Sequence, residues 1–192
     1  MQLSRRSRLA RALLHLCGWS LEGSKPHARR CVVVAAPHTS NWDFVWLILM
    51  AAAYDVSINW LGKHTLFAGP AGPVMRWLGG IPVHRATANK LVEQIADAFA
   101  SAAREDESLM LVIPPEGTRR RVDYWKSGFY HVARLANVPI VLSVLDYGRR
   151  SGGFGDEFMP VEIETDMTRI RAFYADSSGK YPDRFGPVRL RD

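Results

Sequence analysis

The hydrophobic positions along the chain change period repeatedly. Leu9, Leu13 and Leu16 recur at helical spacing, with arginines before and between them, which predicts a short basic amphipathic helix ending near Gly18. A turn-like stretch follows at Glu22–Pro26. Cys31–Ala36 is a short valine-rich apolar run suited to a buried strand. Asn41–Ala53 reads as a helix, with Asn41 as N-cap and Asp43 in its first turn. Strands are expected at Val56–Leu61 and Ile81–His84, with a short helix broken by Gly and Pro over 69–78 between them. Lys90–Arg104 is a helix presenting Leu91, Ile95, Ala98 and Phe99 on one face. Ser108–Ile113 is a strand, and Pro114-Pro115 must be loop. Phe129, Val132, Ala133 and Ala136 mark another helix, Pro139–Leu145 another strand. A turn at Gly152-Gly153, an edge strand at Glu157–Ile163, a helix around Met167–Tyr174 and a polar tail complete the chain.

Strands alternating with helices predict an α/β fold: a single domain with a mostly parallel central sheet flanked by helices, and a site beyond the carboxyl ends of the strands. Length adds only that 192 residues suit one domain, large enough to fold without disulfides or metal. Cys17 and Cys31 make no disulfide framework. Charge changes the picture more. The formal net charge is +6, and residues 1–30 carry all of it; residues 31–192 balance to zero. The expected organisation is therefore a basic amphipathic segment over 1–30 and the folded domain over 31–192. Such asymmetry suits an anionic surface, either membrane or nucleic acid. The neutrality of residues 31–192 argues against nucleic acid. The longest apolar run, Phe44–Tyr54, has 11 residues against the roughly 20 that a membrane-spanning helix needs. Ser4–Leu9 faintly resembles a twin-arginine export signal, but Arg11 and His15 interrupt the apolar stretch that should follow, so export is not expected.

Two clusters carry candidate chemistry. His38 follows the first apolar strand, and Asp43 lies one turn into the next helix. At this spacing a carboxylate can reach back to an imidazole nitrogen, fix its tautomer and raise the basicity of the other nitrogen. The plainer alternative is a turn histidine and an acid that complements the helix dipole. Glu116, Gly117, Thr118 and Arg119 follow the Ser108–Ile113 strand at what should be the same sheet edge, with Arg120 and Arg121 beside them. Glycine, hydroxyl and guanidinium together suit a phosphate. Arg85 ends the Gly79–Arg85 segment, and Lys126-Ser127-Gly128 precedes a helix N-terminus. There is no G-x-S-x-G elbow, no H-E-x-x-H, no P-loop and no G-x-G-x-x-G after the first strand.

The order of these blocks is more specific than any one of them. H-x4-D at His38–Asp43, G-x-I-P-V-x-R at Gly79–Arg85, P-E-G-T-R at Pro115–Arg119 and V-P-I at Val138–Ile140 together resemble the glycerolipid acyltransferase family, in its 1-acylglycerol-3-phosphate acyltransferase branch. The resemblance implies transfer of a fatty acyl group from a CoA or acyl-carrier-protein thioester to a lysophospholipid hydroxyl, with no cofactor beyond that co-substrate. It implies His38 as general base, Asp43 as its orienting partner, and Arg85, Glu116, Gly117, Thr118 and Arg119 around the acceptor's phosphate and glycerol end. Backbone N–H groups at the Asn41 helix start are candidates for the oxyanion. A bilayer-borne acceptor leads to the expectation of a cytoplasmic protein peripheral on the cytoplasmic membrane face, docked on anionic lipid through the basic N-terminal helix; a helix packed on the domain with its arginines solvated is the alternative. Another lysolipid, a small alcohol acceptor, or a non-catalytic lipid-binding protein of the same fold are the alternatives.

Overall fold

The computed structural model describes residues 3–83 and 88–191. Its elements are α1 (Arg5–Leu16), β1 (Ser20–Gly23), β2 (Arg30–Ala36), α2 (Trp42–Ala53), β3 (Asn59–Lys63), α3 (Gly72–Trp77), β4 (Gly80–Val83), α4 (Ala88–Arg104), β5 (Leu109–Ile113), α5 (Gly128–Ala136), β6 (Ile140–Asp146), β7 (Ser151–Phe158) and α6 (Ile163–Tyr174). They form one seven-stranded sheet in the order β1-β7-β6-β2-β5-β3-β4. Every neighbouring pair is parallel except β6 and β7. The single α/β domain with a mostly parallel sheet is as the alternating pattern predicts.

β2 is central and covered on both faces, which explains why it reads as a continuous apolar run. Alternate residues serve different layers. Val32, Val34 and Ala36 pack with Ile95 and Phe99 of α4, Phe129 and Val132 of α5, and Met167 and Ile170 of α6. Cys31 and Val33 pack on the opposite face with Ala51 and Tyr54, at the end of α2. α1 then covers α2: Ala10 and Leu14 meet Met50, Ala52 and Ala53, while Ser7 Oγ and Arg11 Nε donate to the Ala53 carbonyl. Leu9, Leu13 and Leu16 lie on another face of α1 and remain exposed.

The structure departs from the sequence expectations where glycine and short polar segments are involved. The expected edge strand at Glu157–Ile163 is instead β7, Ser151–Phe158, and Ile163 begins α6. β7 is not an edge, because β1 pairs along its far side. Gly152 and Gly153 lie within β7 rather than in a turn. A Cβ on Gly153 would collide with the Glu22 carbonyl of β1, and one on Gly152 with Met50, so these glycines permit close backbone approach. The turn falls earlier, where Asp146 Oδ1 accepts from the Gly148 and Arg149 amides. β1 occupies part of the expected turn and lies inside the expected 1–30 segment, so the sheet begins before residue 31. The strand expected at Val56–Leu61 is paired over Asn59–Lys63, with Val56 and Ile58 serving as buried core ahead of it. The C-terminal tail is docked: the Tyr147 amide donates to the Ser178 carbonyl, and the Trp125 amide to the Arg189 carbonyl. Among the described residues, no helix is long and apolar enough to cross a membrane.

Candidate active site

β6, β2 and β5 are adjacent and parallel, so their carboxyl ends open on one edge of the sheet. Three loops therefore converge there: His38–Asn41 after β2, Pro114–Lys126 after β5, and Tyr147 onward after β6. The first loop wraps around a carboxylate. Asp43, in the first turn of α2, is 6% exposed, and its Oδ2 accepts from the amides of Thr39 and Ser40 at 2.8 Å each. His38 Nδ1 lies 3.2 Å from the same oxygen. The phenol of Tyr147 donates to Oδ1 at 2.8 Å. Burial alone would push the Asp43 carboxyl up, but the hydrogen bonds from His38, the Ser40 amide and Tyr147 hold it below the ordinary carboxylate value. An ionised Asp43 facing Nδ1 favours the tautomer with its proton on Nδ1. Nε2 is then the nitrogen able to accept a proton.

Asn41 does not cap α2 as expected: its backbone is helical and its side chain makes no capping bond. Ser40 Oγ accepts from the Trp42 amide instead, at 3.2 Å. The amides of Thr39, Ser40 and Trp42 are thus engaged within the loop, and that of Trp42 is withdrawn from the helix-start N–H groups considered for an oxyanion. The positive end of the α2 dipole still points toward the site.

Glu116 has a different surrounding from that of a solvent-facing ligand group. It is 2% exposed, its Oε1 accepts from the His38 amide at 2.9 Å, and burial pushes its carboxyl up. Among the described residues its Oε2 has no hydrogen-bond partner. Gly117 turns the chain at φ +63°, and a Cβ there would press on the Lys126 side chain. Thr118 Oγ1 accepts from the Arg120 amide at 3.4 Å. Arg119 is exposed at the rim. Arg121 is tied to the tail, donating to the carbonyls of Asp183 and Phe185. The tail closes over the His38 loop as well: the Tyr181 amide donates to Thr39 Oγ1, and Arg184 Nη1 reaches the Thr39 carbonyl at 3.5 Å.

His38, Asp43 and Arg119 line one cavity of about 460 Å³. Asn41, Lys63 and Ser143 also line it, but its walls are mostly apolar, from Phe44, Leu47, Met50 and Ala51 of α2, Trp60 and Leu61 of β3, and Leu66 and Met75 beyond. Ala51 lies eight residues along α2 from Asp43, about 12 Å by helix rise. A cationic and basic mouth thus leads into a long greasy slot. Such a slot suits a hydrocarbon chain with a polar end.

The structure brings His38, Asp43, Glu116, Gly117, Thr118 and Arg119 together; Arg85 lies outside the described residues. Sequence reasoning missed Tyr147, whose proximity follows from the strand order alone. Among the described residues, no group of three or more His, Cys, Asp or Glu side chains is arranged to hold a metal.

Comparison with known proteins bears on the family and the fold. No curated protein matches the chain significantly. The crystal structure of the 1-acyl-sn-glycerophosphate acyltransferase PlsC from Thermotoga maritima superposes with a TM-score of 0.58, over 93% of this chain and 81% of that one, at 16% sequence identity. That likeness is one of fold. A model of the acyltransferase family matches residues 20–144, from the start of β1 into β6, and so takes in His38, Asp43 and Arg119. The chain belongs to the acyltransferase family.

Proposed function

We propose that this acyltransferase moves a fatty acyl group from an acyl-CoA or acyl-carrier-protein thioester to the hydroxyl of a lysophospholipid, most simply 1-acylglycerol-3-phosphate. The observation that carries the reading is the His38–Asp43 pair at the mouth of an apolar cavity beside Arg119. His38 Nε2 takes the proton of the acceptor hydroxyl as its oxygen attacks the thioester carbonyl. Asp43 holds the imidazole and offsets the positive charge it acquires. Collapse of the tetrahedral intermediate breaks the C–S bond, and the departing thiolate recovers the proton from His38. A thioester is already activated, so the reaction requires no covalent acyl-enzyme. Glu116 supports this geometry from beneath by fixing the His38 amide, while Gly117, Thr118, Arg119 and Lys126 form a turn able to hold a phosphate at the rim. Thioester release with a panel of lysolipids tests the reading; absence of transfer to every lysolipid would overturn it.

Two outcomes follow from the division between rim and slot. Arg119→Ala should raise KM for a phosphate-bearing acceptor by roughly tenfold or more, with a smaller change for the thioester, because a charge-assisted pair contributes about 1.5–3 kcal/mol. Separate acceptor and donor titrations measure this, and a change confined to the donor would move Arg119 to the CoA or carrier phosphate. Ala51→Leu narrows the slot far from His38. Turnover should fall for long acyl chains and be retained for short ones in a chain-length series, while equal loss at every length would place the acyl chain elsewhere.

The acceptor resides in a bilayer, so the site must reach one. We further assign docking on an anionic membrane surface to α1. Its exposed Leu9, Leu13 and Leu16 are accompanied by exposed Arg5, Arg6 and Arg8. Trp19 is excluded from that surface: it is buried, stacked on Trp46 with ring centroids 4.6 Å apart.

A further inference from the structure

The two oxygens of Asp43 are held unequally. Oδ2 receives the Thr39 and Ser40 amides and faces His38 Nδ1, whereas Oδ1 receives the Tyr147 phenol. Tyr147 belongs to neither H-x4-D nor P-E-G-T-R. It follows β6, the neighbour of β2 on the side away from the Pro115–Arg119 loop. Its ring and its backbone are both held. Trp19, just beyond α1, meets it edge-on at 5.1 Å, Trp19 is itself stacked on Trp46 of α2, and the Tyr147 amide donates to the Ser178 carbonyl of the tail at 2.8 Å. A phenol fixed in this way can fix what it touches.

We infer that Tyr147 is a positioning residue for acyl transfer, holding the Asp43 carboxylate in the rotation that keeps Oδ2 on His38 Nδ1. This inference rests on the reading of His38 as the general base. The torsion that rotates a carboxylate about its Cβ–Cγ bond is intrinsically broad, so a partner on the second oxygen restricts it. The same hydrogen bond stabilises the charged form of Asp43. Burial and the bond to Asp43 hold the phenol well above its usual pKa, so it remains a donor throughout the working range.

The surrounding charges come from several elements. Glu116 lies under the His38 amide, and Arg119 lines the same cavity. Lys180 sits over the Trp42 ring, Arg184 reaches the Thr39 carbonyl, and Tyr181 is close enough to act on the Tyr147 phenol. Tyr147→Phe leaves all of these in place and removes one oxygen. Without that donor the Asp43 carboxylate holds a proton more tightly. The acid limb of the rate profile should therefore move upward in pH.

The test is steady-state kinetics of the full chain with acyl-CoA and 1-acylglycerol-3-phosphate in vesicles across a pH series, for wild type, Tyr147→Phe and Tyr174→Phe. Tyr174 is the control: its buried phenol donates to the carbonyls of Val34 and Ser143 and not to Asp43, so its replacement tests the loss of a buried hydroxyl alone. Tyr147→Phe should lower kcat roughly ten- to hundredfold, as for loss of a hydrogen bond to a charged group. KM for both substrates should stay within about twofold of wild type, the size of change expected when uniform binding is untouched. The acid limb should move in Tyr147→Phe and remain in place in Tyr174→Phe, whatever happens to either melting temperature. An unmoved acid limb, or an effect confined to KM, overturns the role of Tyr147 while leaving His38 as base. Absence of transfer by the wild-type chain overturns the functional reading and this inference with it.

Discussion

His38→Ala is expected to lower turnover by at least roughly 10²–10⁴-fold, the usual contribution of a positioned general base, with little change in melting temperature. The two expectations separate because the side chain and the backbone of His38 do different things. The imidazole lines the cavity with 19% of its side chain exposed, and its loss leaves Asp43 still held by two amides and the Tyr147 phenol. The backbone amide is held by Glu116, and alanine retains that hydrogen bond. Asp43→Asn should behave differently, losing stability as well as rate. Its two oxygens accept from two amides and a phenol, and an asparagine NH₂ would face one of those donors. A buried donor left unmatched costs about 1–3 kcal/mol. The pH dependence has a matching sign. The Asp43 carboxyl is depressed in the fold, so its contribution to stability is complete above the unfolded value near ~4 and is lost as pH falls through the folded value. Turnover and thermal melting measured together on both variants check this. Near-normal turnover in a folded His38→Ala protein would remove His38 from the chemistry.

Much of this site was legible because the fold is built from strands buried on both faces. Such strands are largely apolar, so the runs at Cys31–Ala36, Ser108–Ile113 and Pro139–Leu145 stand out without any knowledge of their partners. Once they are parallel neighbours, the segments after them share an edge, and His38 and Arg119 meet although 81 positions apart in sequence. The spacing of His38 and Asp43 is equally local, since a turn followed by a helix N-terminus brings the carboxylate back to the imidazole.

What remained hidden depended on tertiary context. β1 is four residues, mostly exposed, and becomes a strand only because β7 offers it an edge. The glycines of β7 look like a turn in sequence, yet they are where two backbones and a methionine approach closely. The carboxylate of Glu116 resembles a ligand for polar substrate until its burial beneath the His38 amide is seen. Tyr147 has no spacing relationship with Asp43, 104 positions earlier; only the order β6-β2-β5 brings them together.

The leucines of α1 yield the other large expected effect. Helical spacing at 9, 13 and 16 is equally consistent with a packed helix and with one lying on lipid, and the structure shows which residues the packing leaves uncovered. The packed face is Ser7, Ala10 and Leu14, whereas Leu9, Leu13 and Leu16 are 63%, 40% and 83% exposed. Transfer of a leucine side chain out of water contributes about 1.5–3 kcal/mol when complete. Each arginine held near an anionic surface adds about 1 kcal/mol, weakened by salt once charges lie beyond a Debye length of about 10 Å at 0.1 M. Replacing all three leucines by glutamine should therefore reduce partitioning onto anionic vesicles by about a hundredfold or more, the equivalent of ~3 kcal/mol. Residual binding should fall further with salt. The substitutions leave the packed face and Trp19 untouched, so melting should change little. Removal of residues 1–20 would be a poorer experiment, because it takes Trp19 from Trp46 and Tyr147 and Ser7 from the Ala53 carbonyl, disturbing core and site together. Acylation of a vesicle-borne acceptor should slow with the loss of binding, while a soluble short-chain acceptor should react as in wild type. Vesicle sedimentation over a salt series, paired with both acceptor assays, makes the comparison. Equal binding by the wild-type and substituted chains would make α1 purely structural and shift the docking surface to exposed Leu66, Val74 and Trp77 around α3.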